Sequence, residues 1–148
     1  MTPSPRGFTL LIAVILTSVL VSIGLALVDI AYKQLTLAST VKNSQLAFYN
    51  ADAALECALY LDQRFNAFSA AIATTSVQCH TTTPISVTAQ TSGATRTSTF
   101  SVPCTSGTNA AVTVIKNTSG TTAIYANGYS SCSTSDPRRV ERGLKVTY

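Results

Sequence analysis

From Phe8 to Val28 the chain carries no charged side chain and reads as one apolar run. At about 1.5 Å per residue, a helix of that length crosses the roughly 30 Å hydrocarbon core of a bilayer, so the run is expected to lie in a membrane. The rest of the 148 residues is then cargo on that anchor, enough for one small domain. Only 11% of the chain is charged and the formal net charge is +4. With no long basic tract, the total charge gives no argument for a nucleic-acid partner.

Met1 to Gly7 is a short polar lead with one positive charge, Arg6, directly before the run. A secretory signal has an apolar centre of about 7 to 15 residues followed by a small-residue cleavage site. This run is longer and no such site follows it, so the plain reading is an uncleaved anchor, N-terminus inside and domain outside. Lys33 and Lys42 on the far flank make the supporting charge asymmetry thin.

Arg6-Gly7-Phe8-Thr9-Leu10-Leu11, joined to the uncharged run, resembles the processing site of type IV pilin precursors and of the pseudopilins of secretion and competence systems. The resemblance implies that a prepilin peptidase cuts on the cytoplasmic side after Gly7 and that Phe8 becomes an N-methylated terminus. Cleavage there removes the lead and leaves the membrane run intact. Other pilin or pseudopilin subunits, an inner-membrane assembly platform and the lipid bilayer are the partners it implies. The location it implies is a single pass of the bacterial inner membrane, followed by an extracytoplasmic filament.

One position departs from the family pattern. Most members place a glutamate five residues after the cut, and here that position is Ile12. A carboxylate inside a bilayer is costly and is kept only for function. Its absence resembles those minor pilins and pseudopilins that sit at a filament tip, where there is no earlier subunit to engage.

No Pro or Gly interrupts the sequence from Leu25 until well past Asp62, so the helix is expected to run on beyond the membrane. On a wheel of 100° per residue, Phe48, Leu55 and Leu59 fall within about 40° of Val41, with Ala51 at the margin. This stripe is expected to pack on the domain's own sheet, with neighbouring filament subunits as the competing partner. Phe48 to Glu56 also resembles an Ala/acid/Ala/Leu/Glu segment of minor pilins. Asp52 and Glu56 stand one turn apart, but without a nearby base or nucleophile they read as a solvated or subunit-pairing face rather than an acid-base pair.

Four cysteines, Cys57, Cys79, Cys104 and Cys132, all follow the membrane run. An even number in a small extracytoplasmic domain reads as two disulfides and an oxidising compartment. The alternative is a zinc site, but no Cys-x-x-Cys occurs and the lone His80 stands beside Cys79. No metal and no cofactor is expected. Four cysteines allow three pairings, which composition alone leaves open.

Phe65 to Cys79 reads as a short helix and a loop, which a bridge from Cys57 to Cys79 would pin back onto the long helix, leaving it about 160° around the wheel from Val41. From Pro84 the period becomes two. Ile85, Val87 and Ala89 alternate with polar residues, Thr91-Ser92-Gly93-Ala94 reads as a turn, and Thr95 to Val102 as a return strand. Ala111 to Lys116 and Thr122 to Tyr129 form a second hairpin. Val140, Leu144, Val146 and Tyr148 mark a last strand. If these strands meander, the first and third end at one edge, where Cys104 and Cys132 sit, so the favoured pairing is Cys57 with Cys79 and Cys104 with Cys132.

The expected fold class is α+β and pilin-like: a long N-terminal helix, half in the membrane, packed on a C-terminal antiparallel sheet of four to five strands. Its divisions are a leader at 1–7, a transmembrane half-helix at 8–28, a soluble half-helix at 29–64 and a disulfide-stapled β domain at 65–148. Arg138 to Lys145 is the densest basic stretch and reads as a solvated last strand, with DNA as the less favoured reading. Asn117-Thr118-Ser119 matches an N-glycosylation pattern, which in the bacterial setting the resemblance implies is expected to be a chance match. Gly24 would permit a bend or a close helix contact.

Together these readings lead to an expected function in filament assembly, as a minor pilin or pseudopilin and not an enzyme. An uncleaved bitopic envelope protein with a ligand-binding β domain is the alternative. An anchored hydrolase would need a nucleophile and base, for which the sequence offers one histidine.

Overall fold

In the computed structural model the described residues are 6–69, 74–79, 83–105 and 107–148, with Arg6 and Gly7 described by backbone alone. The expectations for residues 1–5 of the leader and for His80 lie outside them. Among these residues there is one helix, α1 (Arg6–Phe65), followed by strands β1 (Ser76–Val77), β2 (Ile85–Ser86), β3 (Thr88–Ser92), β4 (Thr95–Cys104), β5 (Gly107–Asn117), β6 (Thr122–Tyr129) and β7 (Glu141–Thr147). It divides into two compact units, Met1–Ser39 and Thr40–Tyr148. The helical residues that group with the sheet therefore begin at Thr40.

The second unit is an α+β arrangement. β3 to β7 form a five-stranded antiparallel meander in chain order, and β1 pairs with β2 in a small separate sheet. The hairpin between β3 and β4 is tighter than expected, because Ser92 pairs with Thr95 and only Gly93 and Ala94 remain in the turn. Gly93 has a φ of 57°, and positive φ at the first turn residue alone is the pattern of a type II′ hairpin. The expected alternation through Ile85, Val87 and Ala89 stops at Val87, since β3 is an edge strand exposed along its whole length. The short helix expected between Phe65 and Cys79 is not present among the described residues, where β1 occupies part of the segment.

The helix meets the sheet through a different face from the one the wheel singled out. Ala47, Ala51, Ala54 and Ala58, with Asp62 near the helix end, are the buried helix positions, whereas Val41 is 57% and Phe48 45% exposed. Leu55 and Leu59 flank the seam, half-buried against the core. The reason is distance. Gly128 of β6 lies so near the helix that a Cβ there would overlap the Ala47 carbonyl oxygen and the Ala51 backbone, 2.9 Å from its Cα. Large side chains would hold the backbones apart, so small ones take the contact and bulk is left outside.

On the sheet's inner face, β4 supplies Ser98 and Phe100, β5 supplies Ala110, Val112 and Val114, and β6 supplies Ile124 and Ala126, in the every-second-residue pattern of strands. Phe68, just past the helix, stacks on Phe100 at 5.9 Å between centroids. The helix ends without glycine. Asn66 takes the left-handed conformation at φ 50°, and its N–H bonds the Asp62 carbonyl at 2.9 Å. With the Ala67 N–H bonded to the Leu61 carbonyl at 3.3 Å, that bond closes the last turn in the conformation glycine usually supplies.

Candidate functional site

The described residues of the first unit are all helix, and its apolar side chains are exposed all round. Phe8, Leu10, Leu20, Leu25 and Val28 each leave more than half of their surface uncovered. A helix apolar on every side has no solvated face, which suits a segment surrounded by lipid or by other protein. Bilayer burial also requires that polar groups find partners inside the helix. Thr17 Oγ1 lies 3.0 Å from the Ala13 and Val14 carbonyls, Ser18 Oγ donates to Ile15 at 2.8 Å, and Ser22 Oγ to Val19 at 2.8 Å. Among the described residues there is thus one helix long and apolar enough to cross a membrane.

Arg6 and Gly7 open this helix, and Phe8 and Ile12 are exposed on it. A Cβ on Gly24 would meet nothing within 4 Å, so within this chain that glycine answers no steric demand. Asp29 and Lys33 follow the run as an exposed pair at 3.9 Å, which contributes little to stability.

In the second unit the disulfides join Cys57 to Cys79 and Cys104 to Cys132, the pairing favoured from the strand order. The second bridge ties the end of β4 to the segment after β6. Gly107 is the residue that makes room for it, since a Cβ there would overlap the Cys132 carbonyl. The connection from β6 to β7 is internally bonded. Ser130 N–H donates to the Val140 carbonyl and Val140 N–H to Ser130 Oγ, both at 2.9 Å. Arg138 N–H donates to Asp136 Oδ1 at 2.9 Å. That backbone bond, with the Ser131 hydroxyl, holds the Asp136 carboxyl below its usual range. Two disulfides are what a domain kept in an oxidising, extracytoplasmic compartment retains.

The basic stretch does not form a free patch. The Arg139 guanidinium lies 3.8 Å from the centroid of Tyr129, Lys145 sits 5.0 Å over Tyr125, and Arg142 Nε donates to Ser44 Oγ at 2.8 Å. Glu56 is exposed and Asp52 half-buried, and neither enters an ion pair among the described residues. No group of three or more His, Cys, Asp or Glu gathers as a metal site among the described residues.

Two constellations carried no signal in the sequence. Asn50 on α1 donates from Nδ2 to the Tyr129 carbonyl at 2.7 Å and accepts from Asn109 at 3.3 Å, joining helix, β5 and β6. At the other end, Asp62 pairs with Lys116 at 2.7 Å and accepts the Tyr148 hydroxyl at 2.7 Å. Desolvation, then that hydrogen bond, raises the Tyr148 phenol above its ordinary range.

Compared with known protein families, curated proteins and solved structures, the chain matches none.

Proposed function

We propose that the chain is a minor pilin or pseudopilin: cut after Gly7, held in the membrane by residues 8–28, and drawn into the tip or initiating complex of a type IV pilus-like filament. The observation that carries this reading is the single helix Arg6–Phe65. It opens at the residues resembling the processing site, stays uncharged through Val28, and ends with an alanine seam against a disulfide-bridged sheet. The function is assembly, with membrane helices bundling as the filament core and the sheet unit facing outward. Ile12 in place of an acid biases the subunit toward an end position in the filament. Phe48, Tyr49, Tyr60 and Phe65, exposed on the part of α1 that groups with the sheet, are aromatic side chains available to neighbouring subunits.

The test is fractionation of cells that express the chain with a complete pilus assembly system. The protein is expected in sheared surface filaments, in amounts well below the major subunit, and to stay in the membrane when the prepilin peptidase is deleted. Retention in the membrane in both strains would leave an uncleaved, bitopic envelope protein instead.

A further inference from the structure

We propose that the cavity at the β3–β4 turn binds a small carboxylate. Arg96 on β4 and Lys116 on β5 are directly opposed in the antiparallel register. Like charges in that relation are destabilising unless something answers them. Asp62 answers one, through its 2.7 Å contact with Lys116. Nothing answers the other: Arg96 enters no ion pair among the described residues, and its Nε is buried without a hydrogen-bond partner. A buried donor left unpaired costs free energy that a ligand accepting its hydrogen bond would recover.

The surrounding space fits that ligand. Arg96 and Lys116 line a cavity of about 220 Å³ with Ala94, Thr95, Asn117 and Thr118 among its walls. The volume lies below the roughly 300–1,000 Å³ of pockets that take drug-sized molecules, which limits the ligand to a small one. Thr95 Oγ1 donates to Asn117 Oδ1 at 3.0 Å, which fixes the Asn117 amide and leaves its N–H donors unpaired among the described residues. Two cations less one carboxylate leave a single positive charge, which a monoanion balances and a dianion exceeds. A planar carboxylate also matches the guanidinium fork, accepting two parallel hydrogen bonds.

The experiment is a titration of the full chain, isotope-labelled in detergent micelles, followed at the Arg96 Nε–H resonance and at the backbone amides of Thr95 and Asn117, which line the same cavity and remain in every Arg96 variant. Acetate, glucuronate and inorganic phosphate are added separately at constant ionic strength with chloride as the balancing salt. Saturable shifts are expected with acetate and glucuronate, and weaker binding with phosphate. Arg96→Gln should weaken carboxylate binding by at least about tenfold, with Arg96→Lys between it and the parent because a lysine cannot form the fork. Ala94→Phe, at an exposed turn position, should block the cavity without touching a charge. Binding unchanged in Ala94→Phe, phosphate binding as tight as carboxylate, or shifts that never saturate would each overturn the proposal.

Discussion

The Tyr148 hydroxyl donates a 2.7 Å hydrogen bond to Asp62 Oδ2, tying the chain after β7 to the last turn of the helix. The other carboxylate oxygen of Asp62 meets Lys116 at 2.7 Å, and the Asp62 side chain is only 3% exposed. A negative charge near a helix C-terminus is unfavourable to the helix dipole. Asp62 is therefore held by its two partners, and its stability depends on both being present.

Removing the cation alone should be severe. Lys116→Met leaves a buried carboxylate unpaired and is expected to destabilise the sheet unit by about 3 kcal/mol or more. The double variant Asp62→Asn/Lys116→Met should recover most of that loss. Denaturant unfolding of the micelle-held protein, read by near-ultraviolet circular dichroism, measures both; equal losses in the single and double variants would mean the pair is not coupled.

Alkaline pH should act through the same contact. Burial, and then the bond to Asp62, raise the Tyr148 phenol above its unfolded value of about 10. The folded state therefore holds this proton more tightly than the unfolded chain does. Its contribution is complete below about pH 10 and is lost as pH climbs through the raised folded value. Tyr148→Phe should lose about 1 kcal/mol at neutral pH and show a shallower fall in stability above pH 10 than the parent.

The close approach of helix and sheet gives a steric prediction. Gly128→Ala places a methyl against the backbone of Ala47 and Ala51, atoms that cannot swing away as a side-chain end would. The cost should fall at the upper end of about 1–3 kcal/mol, lowering Tm by roughly 10 °C in a unit of this size. Gly24→Ala, where a Cβ meets nothing, should leave the thermal transition of the sheet unit unchanged.

The sequence carried the long helix, the meander and the cysteine pairing because each rests on a local or topological rule. An uncharged run, a period of two and a turn at Gly93 require no knowledge of distant contacts. The helix face was misread because the wheel ranks residues by hydrophobic bulk, so Val41 and Phe48 outweighed Ala47 and Ala54. What decided the face was the partner surface, where Gly128 lets the backbones approach. The Asp62–Lys116–Tyr148 cluster was not legible for the same reason, since residues so distant in sequence meet only once the sheet register is fixed. Asn66, in the left-handed conformation that closes the helix, was the one recoverable signal, because asparagine tolerates it.

Each disulfide closes a loop, with sequence separations of 22 for Cys57–Cys79 and 28 for Cys104–Cys132. Loops of that size are worth about 3 kcal/mol each in the chain-entropy account. Replacing either pair with serine should lower the unfolding free energy by that order, and replacing both should add, because the bridges lie at different places in the unit. Denaturant unfolding of the three variants measures this. A negligible loss on removing both pairs would show that core packing suffices without them.

The most direct test of the proposed role is the intact mass and N-terminal peptide of the protein recovered from cells that carry a prepilin peptidase. The account predicts a chain that begins at Phe8 with an added methyl group on its amino nitrogen. A chain still beginning at Met1 in a peptidase-competent host would contradict it.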